Sequence, residues 1–168
     1  MKSRKYLELT NQGLSVVPLT FTTGDVNTGY KQVERLQLLG ISMSRETKAF
    51  IINAPRAQTI NQKAVIVYPD AEVESSVIPE HTLMLLATHV RLVDTSIESM
   101  CQLRAQFRAE HLQMLGLTSV SAVIPHPTHR RCALTLYEKR GGPCLEVAEK
   151  LPPMVKGAGV MFDVSTAF

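Results

Sequence analysis

Residues 95–115 read TSIESMCQLRAQFRAEHLQML and carry the most regular apolar spacing in the chain. Mostly apolar side chains recur there at intervals of three and four: Ile97, Met100, Leu103, Phe107, His111 and Met114. Because an α-helix brings every third and fourth residue onto one face, this spacing predicts a single long helix with an apolar stripe. Thr95 and Glu98 have the spacing of a capping box, and Gly116 supplies the stop. Such a stripe must pack against other protein.

Runs with strand character lie on both sides of the predicted helix. They cover residues 6–10, 14–21, 48–53, 63–68, 81–93, 120–124, 132–139, 144–148 and 160–164. A turn joins the first two runs into an N-terminal hairpin, and Pro18 predicts an edge position for the second, because proline cannot donate to the ladder. Residues 30–39 fit a helix or a strand. The pattern predicts an α+β fold with an antiparallel sheet and extra C-terminal strands.

The composition is that of an ordinary globular protein. Of the 168 residues, 45% are hydrophobic and 20% are charged, which suffices for one buried core. The net charge of +3 is small, so nucleic-acid binding would require a local basic surface. No apolar run is long enough to cross a membrane, and we expect no secretory signal. Cys101, Cys132 and Cys144 suggest a reducing compartment, or at most one disulfide.

Little in the sequence suggests catalysis. It contains no phosphate-binding glycine loop, no nucleophile elbow and no zinc-protease motif. His126 and His129 would need further ligands to hold zinc, and they fit an exposed basic loop with the arginines that follow. Cys132 beside His129 leaves a cysteine enzyme as an alternative. We expect a non-enzymatic protein without a metal, a cofactor or a small-molecule substrate.

Basic residues on the predicted sheet suggest a nucleic-acid surface. If residues 81–93 form a strand whose even-numbered apolar residues face the helix, then His89 and Arg91 point to the opposite face. Lys63, on a neighbouring strand, could share that face. Such a face suits a phosphate backbone, and the alternative is an ordinary solvated surface.

The order of these segments resembles that of a known family. The segment LELTNQGLSVVPLTFTT at 7–23 precedes DVNTG at 25–29, a strand ending in Tyr68-Pro69, DTSIE at 94–98 and LRAQF at 103–107. Over about residues 6–124 this order is similar to that of the coat proteins of single-stranded RNA bacteriophages. The family pattern ends there. The resemblance therefore implies a coat-like dimerising domain, 1–124, and a strand-rich C-terminal extension, 125–168.

The resemblance further implies a structural protein of a virus particle. The helix would lie across a partner's sheet in a homodimer, with these interface residues: Ile97, Met100, Leu103, Phe107 and Met114. Dimers made in the bacterial host cytoplasm would assemble into an icosahedral shell and leave as virions. The inner sheet face would bind genomic single-stranded RNA, including a hairpin whose capture represses translation, through Lys63, Val65, His89 and Arg91. The alternative is a non-enzymatic α+β assembly or interaction module without RNA binding.

Overall fold

The computed structural model describes residues 6–21, 29–54, 63–70, 79–106, 109–125 and 132–165, apart from the side chains of 104–106 and 109. They form an α+β fold with a mixed eight-stranded sheet. The helices are α1 (Leu7–Asn11), α2 (Gly29–Leu38), α3 (Arg45–Asn53), α4 (Glu80–His89), α5 (Ile97–Gln106) and α6 (Ala109–Met114). The strands are β1 (Leu14–Thr20), β2 (Ser42–Met43), β3 (Lys63–Pro69), β4 (Leu92–Val93), β5 (Ser119–Ile124), β6 (Cys132–Lys139), β7 (Gly142–Ala148) and β8 (Ala158–Val164).

The last strand of the chain lies in the middle of the sheet. The strand order is β1-β3-β8-β5-β6-β7-β2, and β4 also pairs with β8. In the described part, β5 runs parallel to β8 and β2 runs parallel to β7, and the other pairs are antiparallel. Because β8 separates β3 from β5, one sheet continues across the predicted boundary at residue 124. Of the C-terminal strands, β8 lies between β3 and β5, whereas β6 and β7 continue the sheet beyond β5.

Helices cover both faces of the central strands. Ile66 of β3 and Met161 of β8 are buried in a core cluster with side chains of α2, α3 and α5. Val65 and Phe162, their neighbours along the chain, are buried in a second cluster with side chains of α1 and α4. Successive strand residues point to opposite faces, so a strand covered on both faces must be apolar throughout.

The strand predicted at residues 48–53 is wrong, because this segment belongs to helix α3. The Ser44 hydroxyl oxygen accepts a hydrogen bond from the Thr47 backbone N–H at 3.1 Å and caps the helix. Thr47, Phe50 and Ile51 are buried on one face, at the spacing of a helix. An apolar run this short cannot be assigned to helix or strand by its period alone.

The strand predicted at residues 81–93 is also wrong, because most of the segment forms α4. Leu83 and Ala87 are buried four residues apart in the second core cluster. Thr88, whose branched side chain favoured a strand, is exposed, and its hydroxyl donates to a carbonyl one turn earlier at 2.8 Å. Only the end of the segment is extended, as β4.

The predicted N-terminal hairpin is absent from the described residues. The run at 6–10 contributes to α1, whose Leu9 is fully buried in the second core cluster. Strand β1 pairs with β3 instead. With helices in place of three predicted strands, helices alternate with strands in the first half of the chain, and the antiparallel meander gives way to a mixed sheet.

The other strand predictions are confirmed. The predicted runs at 14–21, 63–68, 120–124, 132–139, 144–148 and 160–164 correspond to β1, β3, β5, β6, β7 and β8. In the described part β1 pairs with β3 alone, which confirms the edge position predicted from Pro18. Residues 30–39 take the helical alternative, as α2.

Most of the stretch predicted as one long helix, 95–115, is helical in its described residues, as α5 and α6, and Thr95, Ser96 and Leu115 lie outside these two helices. Ile97, Met100 and Leu103 are buried in the core cluster of their own chain, together with residues of its own sheet. This burial contradicts the prediction that these three side chains pack on a partner's sheet. Phe107 lies outside the described residues, and Met114 is 85% exposed.

Candidate nucleic-acid interface

One end of the sheet gathers three of the four predicted RNA-binding residues. Asp163, near the end of β8, pairs with Ala64 of β3 on one side and with Val93 of β4 on the other. Lys63 directly precedes Ala64, and Arg91 lies two residues before Val93. Both therefore lie beside the last residues of β8. Neighbouring strands are about 4.8 Å apart, so β3 and β4 are about 10 Å apart here.

Lys63, His89 and Arg91 are all exposed, and we call them the basic end. His89 is the last residue of α4. These residues do not share a sheet face as predicted, because α4 is a helix and both faces of β3 are covered. Val65 is only 1% exposed in the second core cluster, and this burial contradicts its predicted contact with RNA.

Arg91 has an unusual backbone conformation. Its φ is +62°, and among the described residues no other side-chain-bearing residue has a positive φ. Its N–H donates to the Thr88 carbonyl and its carbonyl accepts the Ser165 N–H, both at 3.1 Å. Because both backbone groups are held, the origin of the exposed side chain is fixed relative to β8.

A buried polar network lies beneath the basic end and joins α5 to the sheet. The Asp163 Oδ2 atom accepts hydrogen bonds from the Ser96 N–H at 3.3 Å and from the Ser99 hydroxyl at 3.1 Å. The Ser96 hydroxyl oxygen also accepts the Ser99 N–H at 3.2 Å, so Ser96 takes the capping role predicted for Thr95. Thr95 instead donates its hydroxyl to the Met161 carbonyl at 2.9 Å.

Among the described residues, the most exposed charged side chains at this end are positive. Lys63 and Arg91 supply two full charges, and His89 adds a hydrogen-bonding ring. Asp163 is buried, and its side chain lies on the same face of the sheet as that of its partner Ala64. Lys63 is the neighbour of Ala64 along the strand, so its side chain points to the opposite face. The Asp163 carboxylate accepts hydrogen bonds at the first turn of α5, where negative charge is favourable.

Two of the cysteines lack the features of a catalytic thiol. Burial and, to a smaller extent, the nearby Glu98 carboxylate raise the pKa of Cys101 to about 12. Burial also raises the pKa of Cys132. A raised pKa disfavours the reactive thiolate near neutral pH. His126 and His129, considered above for zinc or for catalysis, lie outside the described residues.

A polar cluster on the C-terminal hairpin was not predicted. The Lys139 Nζ atom lies 3.2 Å from Glu146 Oε1 and 5.3 Å from the centre of the Tyr137 ring. Hydrogen bonds from Tyr137 and Lys139 lower the pKa of Glu146. The glycine turn of the hairpin fixes the register that brings these strands together. Since Lys139 and Glu146 are 56% and 50% exposed, the cluster is an ordinary cross-strand contact on the surface.

Protein-family models, curated proteins and solved structures show no match to this chain. Within the part of the chain that the structure describes, no group of three His, Cys, Asp or Glu side chains could hold a metal ion. Nor does any helix there combine the length and apolarity needed to span a bilayer. Among the described residues, the basic end is a group of exposed cationic side chains, and its charge suits an anion.

Proposed function

We propose that this chain is a non-enzymatic protein that binds RNA by contacting its phosphate backbone with the basic end. One observation carries the proposal: residues distant in sequence converge on the end of β8. Lys63 comes from β3, whereas His89 ends α4 and Arg91 lies in the turn between α4 and β4 on the other side. Ammonium and guanidinium groups are frequent donors to phosphate oxygens.

The small number of charges defines the kind of binding to expect. Each phosphate that a protein neutralises on a single strand contributes about −0.7 to the slope of log affinity against log salt. Lys63 and Arg91 together would contribute about −1.4 to that slope. Recognition through phosphates carries little sequence information, so we expect binding to RNAs of many sequences.

A bacteriophage coat protein is the specific form of this proposal that the sequence resemblance suggests. In that form the chain dimerises, assembles into an icosahedral shell in the bacterial cytoplasm and encloses single-stranded RNA in a virion. The shared order of sequence segments and the exposed cations support it. Because Ile97, Met100 and Leu103 are buried within their own chain, Met114 is the described member of the predicted interface that is open to a partner.

A second candidate is an assembly or interaction module that binds no RNA. It is favoured by large apolar side chains on the surface: Tyr30 at 72%, Leu38 at 84% and Met114 at 85% exposure. Where such side chains form one contiguous patch, the patch marks a site of contact with another protein.

Electron microscopy and absorbance of the purified protein separate these candidates. The chain has no tryptophan and four tyrosines, so it absorbs weakly and bound RNA would dominate the ultraviolet spectrum. Shells containing RNA support the coat protein, and a small RNA-containing oligomer supports RNA binding without a shell. A nucleic-acid-free protein that also fails to bind added RNA contradicts the proposal.

Paired charge variants test the site itself. Lys63→Gln with Arg91→Gln should weaken binding of labelled single-stranded RNA and reduce the salt slope by about 1.4. The matched control is Arg140→Gln with Lys156→Gln, which removes the same charge from exposed residues at the opposite end of the sheet. Equal weakening by both pairs would mean that net charge alone matters and would contradict the basic end as the site.

A further inference from the structure

Four helices in the described part of the chain end in the same conformation. In each, the second residue after the helix has a positive φ: Gly13 at 77° after α1, Gly40 at 79° after α2, Gly116 at 76° after α6, and Arg91 at 62° after α4. At each of these residues the N–H donates to the carbonyl three residues earlier. Three of the four positions hold glycine, the residue that adopts this conformation without steric cost.

Arginine at the fourth position makes the fold less stable than glycine would. Its Cβ meets the steric penalty that glycine avoids. The bonds that hold Arg91, from its N–H and to its carbonyl, use backbone atoms that any residue other than proline has. Its side chain is exposed. Within the part of the chain that the structure describes, the fold therefore uses nothing that only arginine provides, and backbone strain of this kind is concentrated at functional sites.

We infer that Arg91 is the residue that fixes a phosphate group at the basic end, and that its strained backbone is kept for this purpose. The inference rests on the proposed RNA binding. A guanidinium donates two parallel hydrogen bonds to one phosphate, whereas an ammonium group acts as a point charge. Arg91 would therefore orient the RNA backbone, and Lys63, on the other side of β8, would add attraction without orientation.

The test is the substitution Arg91→Gly, which gives α4 the ending that the other three helices have. Stability and binding should change in opposite directions. The thermal unfolding midpoint should rise by about 2–4 °C because the steric penalty is removed. The affinity for labelled single-stranded RNA should fall about ten- to hundredfold because a charge-assisted pair of hydrogen bonds is lost. A variant with a higher midpoint cannot owe weaker binding to unfolding.

Two further variants complete the test. Arg91→Lys keeps the charge and the strain, so the midpoint should be unchanged and affinity should fall about three- to tenfold. Gly40→Arg places arginine at the equivalent position after α2, where a Cβ meets no atom within 4 Å. It should lower the midpoint without improving RNA binding.

The outcomes separate this inference from the function on which it rests. Full RNA affinity in Arg91→Gly would overturn the inference, and RNA binding would survive if Lys63→Gln still weakened it. Full affinity in Arg91→Lys would show that charge alone acts there, and would overturn the orienting role. Absence of RNA binding by the unaltered chain would instead remove the proposed function.

Discussion

Ile97, Met100 and Leu103 on α5 and Met114 at the end of α6 belong to one apolar stripe, but their environments are opposite. The first three are at most 3% exposed and lie against the sheet of their own chain, whereas Met114 is 85% exposed. The periodic spacing is the same along the whole stripe. The first turn of α5 is joined to β8 through Asp163. In α6 Leu112 packs on the core, as does Leu115 directly after the helix, and Met114 lies on a different side of the helix from Leu112.

The comparison shows that a periodic stripe predicts a helix and an apolar face but does not identify what covers that face. For the first half the cover is the central strands β3, β8 and β5, so its burial stabilises the monomer. Met114, the last residue of the stripe, is not covered by the described part of the chain. Substitutions along the stripe should therefore change the stability of the monomer by very different amounts.

Leu103→Ala should have the largest effect. Leu103 is fully buried, and removing its side chain beyond Cβ loses apolar burial and leaves a cavity at a cost of about 2–5 kcal/mol. Urea unfolding should show a lower midpoint with an unchanged slope. A loss below about 1 kcal/mol would mean that α5 is not packed as described.

The two halves of the chain differed in how well the sequence predicted their structure. The strands after the helix were assigned correctly because turn residues bound each one, as Gly141-Gly142 bound β6 and β7. In the first half α3 and α4 were assigned as strands. Phe50 and Ile51 lie in an apolar run too short to show a period, and the exposed Thr88 suggested a strand from its branching alone.

The basic end was predicted in composition but not in geometry. Lys63, His89 and Arg91 were grouped by the alternation expected of a strand at 81–93, and that strand is a helix. They still converge, because β8 pairs with β3 on one side and with β4 on the other. Such a long-range pairing leaves no local pattern in the sequence. The strain at Arg91 is likewise visible only in the backbone.

Asp163→Ala should have the second largest effect, because it removes the hydrogen bonds that join the first turn of α5 to β8. The Ser96 N–H and the Ser99 hydroxyl would lose their acceptor, at a cost of about 1–3 kcal/mol in the free energy of unfolding. Asp163→Asn keeps an acceptor oxygen and should cost less. If Asn and Ala are equally destabilising in urea unfolding, the negative charge at the helix N-terminus is the dominant contribution.

Ser96→Ala should cost about 1 kcal/mol, because it removes the oxygen that accepts the Ser99 N–H. The matched variant is Ser96→Gly. Glycine is tolerated at a cap to within a few tenths of a kcal/mol, whereas inside a helix it is worse than alanine by about 1 kcal/mol. The stability order Gly above Ala therefore identifies Ser96 as the cap, and the reverse order would place the cap at Thr95, as the sequence predicted.

Met114→Gln should have the smallest effect, within about 0.5 kcal/mol, because Met114 is 85% exposed and its side chain loses little burial. The measurement is urea unfolding at two protein concentrations. Contact with a second copy stabilises the native protein by mass action, so the contribution of Met114 would grow with concentration. If Met114→Gln lowers the free energy of unfolding little at low protein concentration and more at high concentration, Met114 lies in a contact between subunits, as the coat-protein proposal requires. A cost that stays near zero at both concentrations leaves Met114 exposed and removes it from the interface. A large cost at both concentrations would show that Met114 is buried in its own chain, and the contrast between the two ends of the stripe would be lost.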